Sequence, residues 1–282
     1  MSCYQIIIDA RDRFFFRDSR QISGSDIGDG ASWPMPSEFH SAMLSALRER
    51  FPNTSEWESP HENLTKKEEK KHLDKGGKEK LVSNFRLGGL KTWGIFPVKK
   101  KSTENGEWND EIFVPTPADI EPNGSIMRLI SPVGHSNLPL PLPYLLANTS
   151  PPSKTTVHPW ISLENLENYL RGEKVGETIQ NSAFFDTETN PGIAIDPSTG
   201  SAEDGKFYQA SYLRLKPDVS MLAFAECEAK KFNEKSGKDL LEILFADKKS
   251  IPLIFGGQGG VAYMECKREK SSLCELTDEI QI

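Results

Sequence analysis

The chain has 282 residues, 37% hydrophobic and 27% charged, with a net charge of −7, the composition of an ordinary soluble globular protein of about two domains. No run approaches the ~20 consecutive apolar residues of a membrane span, and MSCYQIIIDARD carries acids by residue 12, so neither a secretory signal nor a membrane partner is expected. Four cysteines (Cys3, Cys227, Cys266, Cys274) form no C-x-x-C and five histidines are scattered, which points to reduced thiols in the cytoplasm and to no metal or other cofactor.

In chain order, YQIII (4–8) is a continuous apolar run with β-branched weight and predicts a buried strand. Behind it, FFFRDSR (14–20) joins three phenylalanines that need burial to an Arg-Asp-Ser-Arg cluster that needs water or a charged partner. A chain that combines these needs is leaving a core strand and entering a site. After the glycine-rich SGSDIGDGAS, PSEFHSAMLSALRERF (36–51) predicts a helix with Ser37 as N-cap and Phe39, Met43, Ala46, Leu47 and Phe51 on one face. FRLGGLKTWGIFPV and EIFVPTPADI then flank a hairpin whose tight turn is Asn105-Gly106. Residues 132–159 hold seven of the nineteen prolines, which lack the N–H that a helix or central strand needs. The domain boundary is therefore placed near residue 150.

In the second half, SLENLENYLRG predicts a helix capped by Ser162 and stopped at Gly172, aligning Leu163, Leu166, Tyr169 and Leu170. Strands follow at SAFFD, GIAID, KFYQASYLRL and VSMLAFAE, with DTETNPG as a turn bearing the solvated carboxylates Asp186 and Glu188, followed by Asp196. KDLLEILFA reads as a helix and IPLIF and VAYMEC as strands around GGQGG. The order suggests an α+β fold of two ferredoxin-like units in tandem. These are residues 1–150, with a lysine-rich insertion near 64–80, and 151–282, with a glycine-rich loop at 255–260.

Charge is unevenly spread. Between Leu64 and Lys101, twelve Lys or Arg stand against four acids, a net of +8 in a chain of −7. Such a segment can track a phosphate backbone; for residues 65–80 a solvated lysine-rich insertion is the simpler explanation. Arg86 to Lys101, interleaved with Phe, Leu, Trp and Gly, fits either. There is no G-x-x-x-x-G-K-[ST], so a P-loop is excluded. FGGQGG (255–260) follows an apolar strand. Its glycines permit positive φ and close approach of a foreign backbone, presenting N–H groups to phosphate or ribose; a flexible turn between strands is the plainer alternative. RLGGL (86–90) carries the same two readings.

Five ordered segments and the terminal glycine loop carry a family resemblance over nearly the whole chain. FFRDSR followed by WPMPSEFHSAMLSALR resembles the start of the third subunit of the Cmr complex, the type III-B CRISPR effector, a RAMP-superfamily protein. LGGL with IFPV and FVPTPADI, HPWISLENLENYLRGE, and GIAIDPSTGSAEDGKFYQASYLRLKP are similar to later stretches of that family. Three positions depart from its pattern: Gln21, Asn190 and Gln258.

The resemblance implies two ferredoxin-like (RRM-like, RAMP) halves that grip the 5′ handle of the CRISPR RNA. It further implies docking on the large palm-domain subunit and on the backbone RAMP subunit, in antiviral defence, with no catalytic residues. In such a machine base pairing reads sequence while protein holds backbone and shape. Arg17 and Arg20 would reach RNA with Asp18 orienting one of them, unless the three form an ion cluster closing the turn. Arg48, Arg86, Gly88 and Gly89 would add contacts, as would Gly256, Gly257, Gly259 and Gly260. Two rivals stand beside this. A stand-alone RAMP endoribonuclease processing CRISPR RNA would draw on His40, His135 or His158, and a scaffold would not touch RNA at all.

Overall fold

Three consecutive isoleucines build strand β1 (Tyr4–Ala10), in which Ile6, Ile7 and Ile8 are all at most 5% exposed. A strand alternates its side chains between two faces, so both faces of β1 are covered. The computed structural model describes residues 3–17, 27–28, 31–50, 90–102, 108–131, 144–151, 153–227, 240–246 and 250–267. They form an α+β structure of mostly antiparallel strands with few helices.

The contacts divide the chain into two units, residues 1–95, 186–215 and 220–282 in the first, residues 96–185 and 216–219 in the second. The boundary expected near residue 150 falls inside the second unit. The reason is long-range pairing: β1 lies antiparallel between β10 (Val219–Cys227) and β12 (Val261–Lys267), with Ile7 opposite both Leu222 and Glu265. In the first unit β11 (Ile251–Ile254) adds to β12, giving the order β11-β12-β1-β10. Helices α1 (Pro36–Arg50) and, later in the chain, Leu240–Phe245 pack here through Phe39, Met43, Leu47, Leu240, Leu241 and Leu244, all at most 4% exposed.

Four expectations are corrected in this unit. Helix α1 begins at Pro36, one residue before the expected cap Ser37. The Glu38 carboxylate accepts the Met35 N–H at 2.9 Å, the return bond of a capping box, so Met35 occupies the cap. Its buried face uses Ala42 rather than Ala46, and Phe51 lies outside the described residues. Strand β8 (Phe185–Ile195) runs unbroken through Asn190-Pro191-Gly192, where a turn was expected. It is an edge strand, beside β9 (Ala202–Leu215) and then the short β2 (Ile27–Gly28), and an edge tolerates the missing N–H of proline. Cys3 is disulfide-bonded while Cys227 and Cys266 form no disulfide, so not every thiol is reduced.

The second unit holds residues 96–102 of β3 (Leu90–Ser102), antiparallel to β4 (Trp108–Pro115), with Val98 opposite Ile112. The turn Asn105-Gly106 lies outside the described residues. Strand β7 (Trp160–Ser162) completes this edge and leads into α2 (Leu163–Leu170), capped as expected by Ser162, whose hydroxyl accepts the Asn165 N–H. Gly172, φ +74°, returns its N–H to Tyr169 O. Leu163, Leu166 and Tyr169 face the core of Val114, Ile120, Ile161 and Val175, but Leu170 is 50% exposed and lies off that face. Glu121, 2% exposed, is enclosed by Thr149 and Ser150, each giving its backbone N–H and its hydroxyl. Those four donors tether the proline-rich connection to the turn after β4.

Candidate functional site

Within the first unit the two segments singled out from the sequence, FFFR and FGGQGG, meet. Alternation along the extended chain turns Phe14 and Phe16 inward, 0% and 1% exposed, onto Phe255, with ring centroids 5.1–5.5 Å apart. Phe14 bonds Leu213 of β9 in both directions at 2.8 Å. Phe15 faces the other way. Its ring lies 5.7 Å from that of Tyr212, and its carbonyl accepts the Gly257 N–H at 2.8 Å.

This packing accounts for three of the four loop glycines. A Cβ on Gly256, φ +79°, would stand 2.7 Å from Phe15 O; one on Gly260 would stand 2.4 Å from Phe255 O, and one on Gly257 3.0 Å from the Phe15 ring. The close approach at these positions is made by the protein's own chain. Gly259, φ +73°, differs: nothing lies within 4 Å of its missing Cβ. The backbone N–H groups of Gln258 and Gly259 have no partner among the described residues.

A charged network lies beside the aromatic cluster. Arg214 engages Glu188 through Nε and, at 3.1 Å, through Nη2, and reaches Asp12 through Nη1 at 2.7 Å. The bond from Arg214 is the main cause holding the Glu188 carboxyl below its usual range, and Glu188 with Asp12 raises the Arg214 pKa in return. Arg13 pairs with Glu188 at 3.4 Å and sets its guanidinium 4.1 Å from the centre of the Tyr212 ring. The Tyr212 hydroxyl donates to Gln258 Oε1. The segments 12–16, 188, 212–214 and 255–260 thus form one connected, partly exposed surface.

Of the expected contact residues, Arg17 stands exposed at the end of the aromatic run and makes no side-chain ion pair among the described residues, and Arg48 is exposed in the last turn of α1. Gly256, Gly257, Gly259 and Gly260 form the loop just described. Asp18, Arg20, Arg86, Gly88 and Gly89 lie outside the described residues, as does His135. His40 meets the Thr92 hydroxyl at 3.1 Å in the first unit; His158 Nε2 is 3.4 Å from the Gln180 amide in the second. Glu188, expected as a solvated turn carboxylate, is a strand residue in an ion network. Arg13, Tyr212 and Arg214 were not singled out: their partners are up to 202 positions away, and no local pattern encodes such a pairing. Among the described residues no group of acids, histidines and cysteines could hold a metal ion.

A family model described as CRISPR-associated protein (Cas_Cmr3) matches residues 6–281. Comparison with curated proteins finds no match. Among solved structures the chain is similar to a chain of the type III-B Cmr-beta complex bound to cognate target RNA, at TM-score 0.44 and 15% identity, covering 94% of this chain and 64% of that one. It is also similar to a chain of the same complex bound to target RNA and AMPPnP, at TM-score 0.45 and 14% identity, with the same coverage. The apo Cmr-beta structure gives TM-score 0.39 and 9% identity, covering 94% and 97%. The chain therefore spans 64% of the length of the first two chains it matches.

Proposed function

The chain belongs to the Cmr3 family of CRISPR-associated proteins, and from that premise we propose that it is a non-catalytic, RNA-binding subunit of a type III-B CRISPR effector. In this proposal two ferredoxin-like RAMP units hold the 5′ handle of the CRISPR RNA and dock on the large palm-domain subunit and the backbone RAMP subunit. The observation that carries it is the convergence of three separate segments, 13–17, 212–214 and 255–260, on one surface of the first unit. That surface offers what single-stranded RNA requires. Phe15 and Tyr212 supply half-buried aromatic rings of the kind beside which bases stack. Arg17 supplies a planar guanidinium for a phosphate, and the N–H groups of Gln258 and Gly259 supply neutral donors in the same unit. None of these is a nucleophile paired with a base, so binding is the chemistry they support.

The test is Arg17→Ala combined with Arg20→Ala, measured by salt-controlled filter binding of repeat-derived RNA. Affinity should fall roughly tenfold, and the slope of log affinity against log salt should become shallower by about 0.7 for each phosphate the variant no longer neutralises. Arg17→Ala alone, at an exposed position, should change thermal stability by no more than about 0.5 kcal/mol. Unchanged affinity and slope would refute the assignment.

A further inference from the structure

The second unit contains a cavity of about 490 Å3 that shares no residue with the surface described above. Its walls come from the turn after β4, from Met127 and from the proline-rich connection. Pro117, Pro122, Pro151 and Pro159 line it, and a ring-locked φ keeps such walls stiff. Thr149 and Ser150 hold the connection on Glu121 through four donors. His158, also in the lining, is fixed on both sides of its backbone. Its N–H donates to the Thr178 hydroxyl at 3.0 Å, and its carbonyl accepts the Thr116 hydroxyl at 2.8 Å. The cavity is therefore built before any ligand arrives, and its volume falls in the range of small-molecule sites, about 300–1,000 Å3.

The chemistry of the lining narrows the ligand. Ile120, Met127 and Val157 join the prolines as apolar walls, and a thioether such as that of Met127 contacts ring systems favourably. Asn148 adds an amide that makes no hydrogen bond among the described residues, so its donors and its acceptor are all on offer. No Lys or Arg is among the lining residues, and the one carboxylate, Glu121, is 2% exposed with two donors on each oxygen. Nothing inside neutralises a phosphate; a flat, uncharged ring with polar edges fits. Cations stand immediately beside the lining in the chain. Arg128 follows Met127 and Lys154 follows Ser153, both exposed and without an ion pair among the described residues. A cavity without cations, flanked by two free ones, matches a nucleotide whose base is inside and whose phosphates are outside. We infer that this cavity takes one unstacked base of the bound RNA, with Arg128 and Lys154 on the flanking phosphates. The inference rests on the RNA-binding reading given above.

The test uses the full chain with isotope-labelled methionine methyl groups, repeat-derived RNA, and a set of the same RNAs each lacking one base. The Met127 methyl resonance, assigned through Met127→Leu, should move upfield at saturating RNA, as a ring stacked on it requires. Removing one particular base should abolish that shift, and removing any other should not. Ala118→Trp, at an exposed position of the lining, should fill the cavity and weaken binding roughly tenfold, the size of one lost base contact. Arg128→Ala with Lys154→Ala should make the salt slope shallower by about 0.7 for each phosphate released; an unchanged slope overturns their role. RNA binding with an unmoved Met127 methyl, or with Ala118→Trp at wild-type affinity, overturns the inference and leaves RNA binding standing. A Met127 signal that moves only when the large subunit is added gives the cavity to protein docking and overturns it likewise. Failure of wild type to bind the RNA at low salt overturns both the inference and the reading on which it rests.

Discussion

Gly256 and Gly260 have almost no room for a methyl group, because the atoms that would meet it are backbone oxygens. Alanine at either position should lower the thermal midpoint more than Gly259→Ala, where only the positive φ, about 1–2 kcal/mol, opposes the change. By the same geometry Gly257→Val displaces the Phe15 ring and should destabilise more than Gln258→Ala; the reverse order in thermal unfolding would disprove the packing account. Glu121 makes a prediction in pH. The hydroxyls of Ser150 and Thr149, chief among its donors, hold its pKa at about 2, below the ordinary 4.5. A carboxyl depressed in the folded state stabilises above its unfolded pKa and loses that contribution as pH falls toward its folded one. The stability difference between wild type and Glu121→Gln should therefore be full above about pH 5 and shrink between pH 4.5 and 2. A difference that is constant across that range would show that the ionised carboxylate is not what the cage stabilises.

Elements were legible where local chemistry decides them. Ser162 was recognisable as a cap, and the structure places its hydroxyl on the Asn165 N–H. Ser162→Ala should lower stability by about 1 kcal/mol, read from the urea midpoint at unchanged slope, and Ser162→Asp should restore most of it. No loss in the alanine variant would mean the bond contributes nothing to α2. The cap of α1 lies two residues before the expected Ser37 because Ser37 and the Pro36–Glu38 pair both signal a helix start, and the return bond to Glu38 decides between them. Asn-Pro-Gly is turn chemistry and predicts a break in the middle of β8. Its place at the sheet edge removes the cost of that proline.

For the molecule as a whole, the non-catalytic proposal is tested by removing every candidate histidine together. His40→Ala, His135→Ala and His158→Ala combined should leave RNA binding and assembly intact, and the purified wild-type chain should not cleave repeat RNA. Cleavage by the chain alone, abolished in the triple variant, would replace the proposal with a ribonuclease. His40 and His158 belong to separate units and each has a local hydrogen-bond partner, a pattern that a structural role explains. The two halves expected from proline density follow chain order, whereas the two units of the fold do not. Antiparallel pairing of β1 with β10 and β12 draws both ends of the chain into the first unit.

What the sequence determined by itself were properties carried within a few neighbouring residues: the apolar runs of β1, β11 and β12, the cap of α2, the glycine turn, and the ordered motifs of the family. Each depends on periodicity, capping or backbone freedom, which act over one or two turns of chain. The tertiary structure alone decided that Phe15 fills the space at Gly256 and Gly257, that Arg214 binds both Glu188 and Asp12, and that Tyr212 donates to Gln258. These pairings join residues far apart in the chain, and they exist because burying Phe14, Phe16 and Phe255 in one cluster brings their polar neighbours onto the same surface.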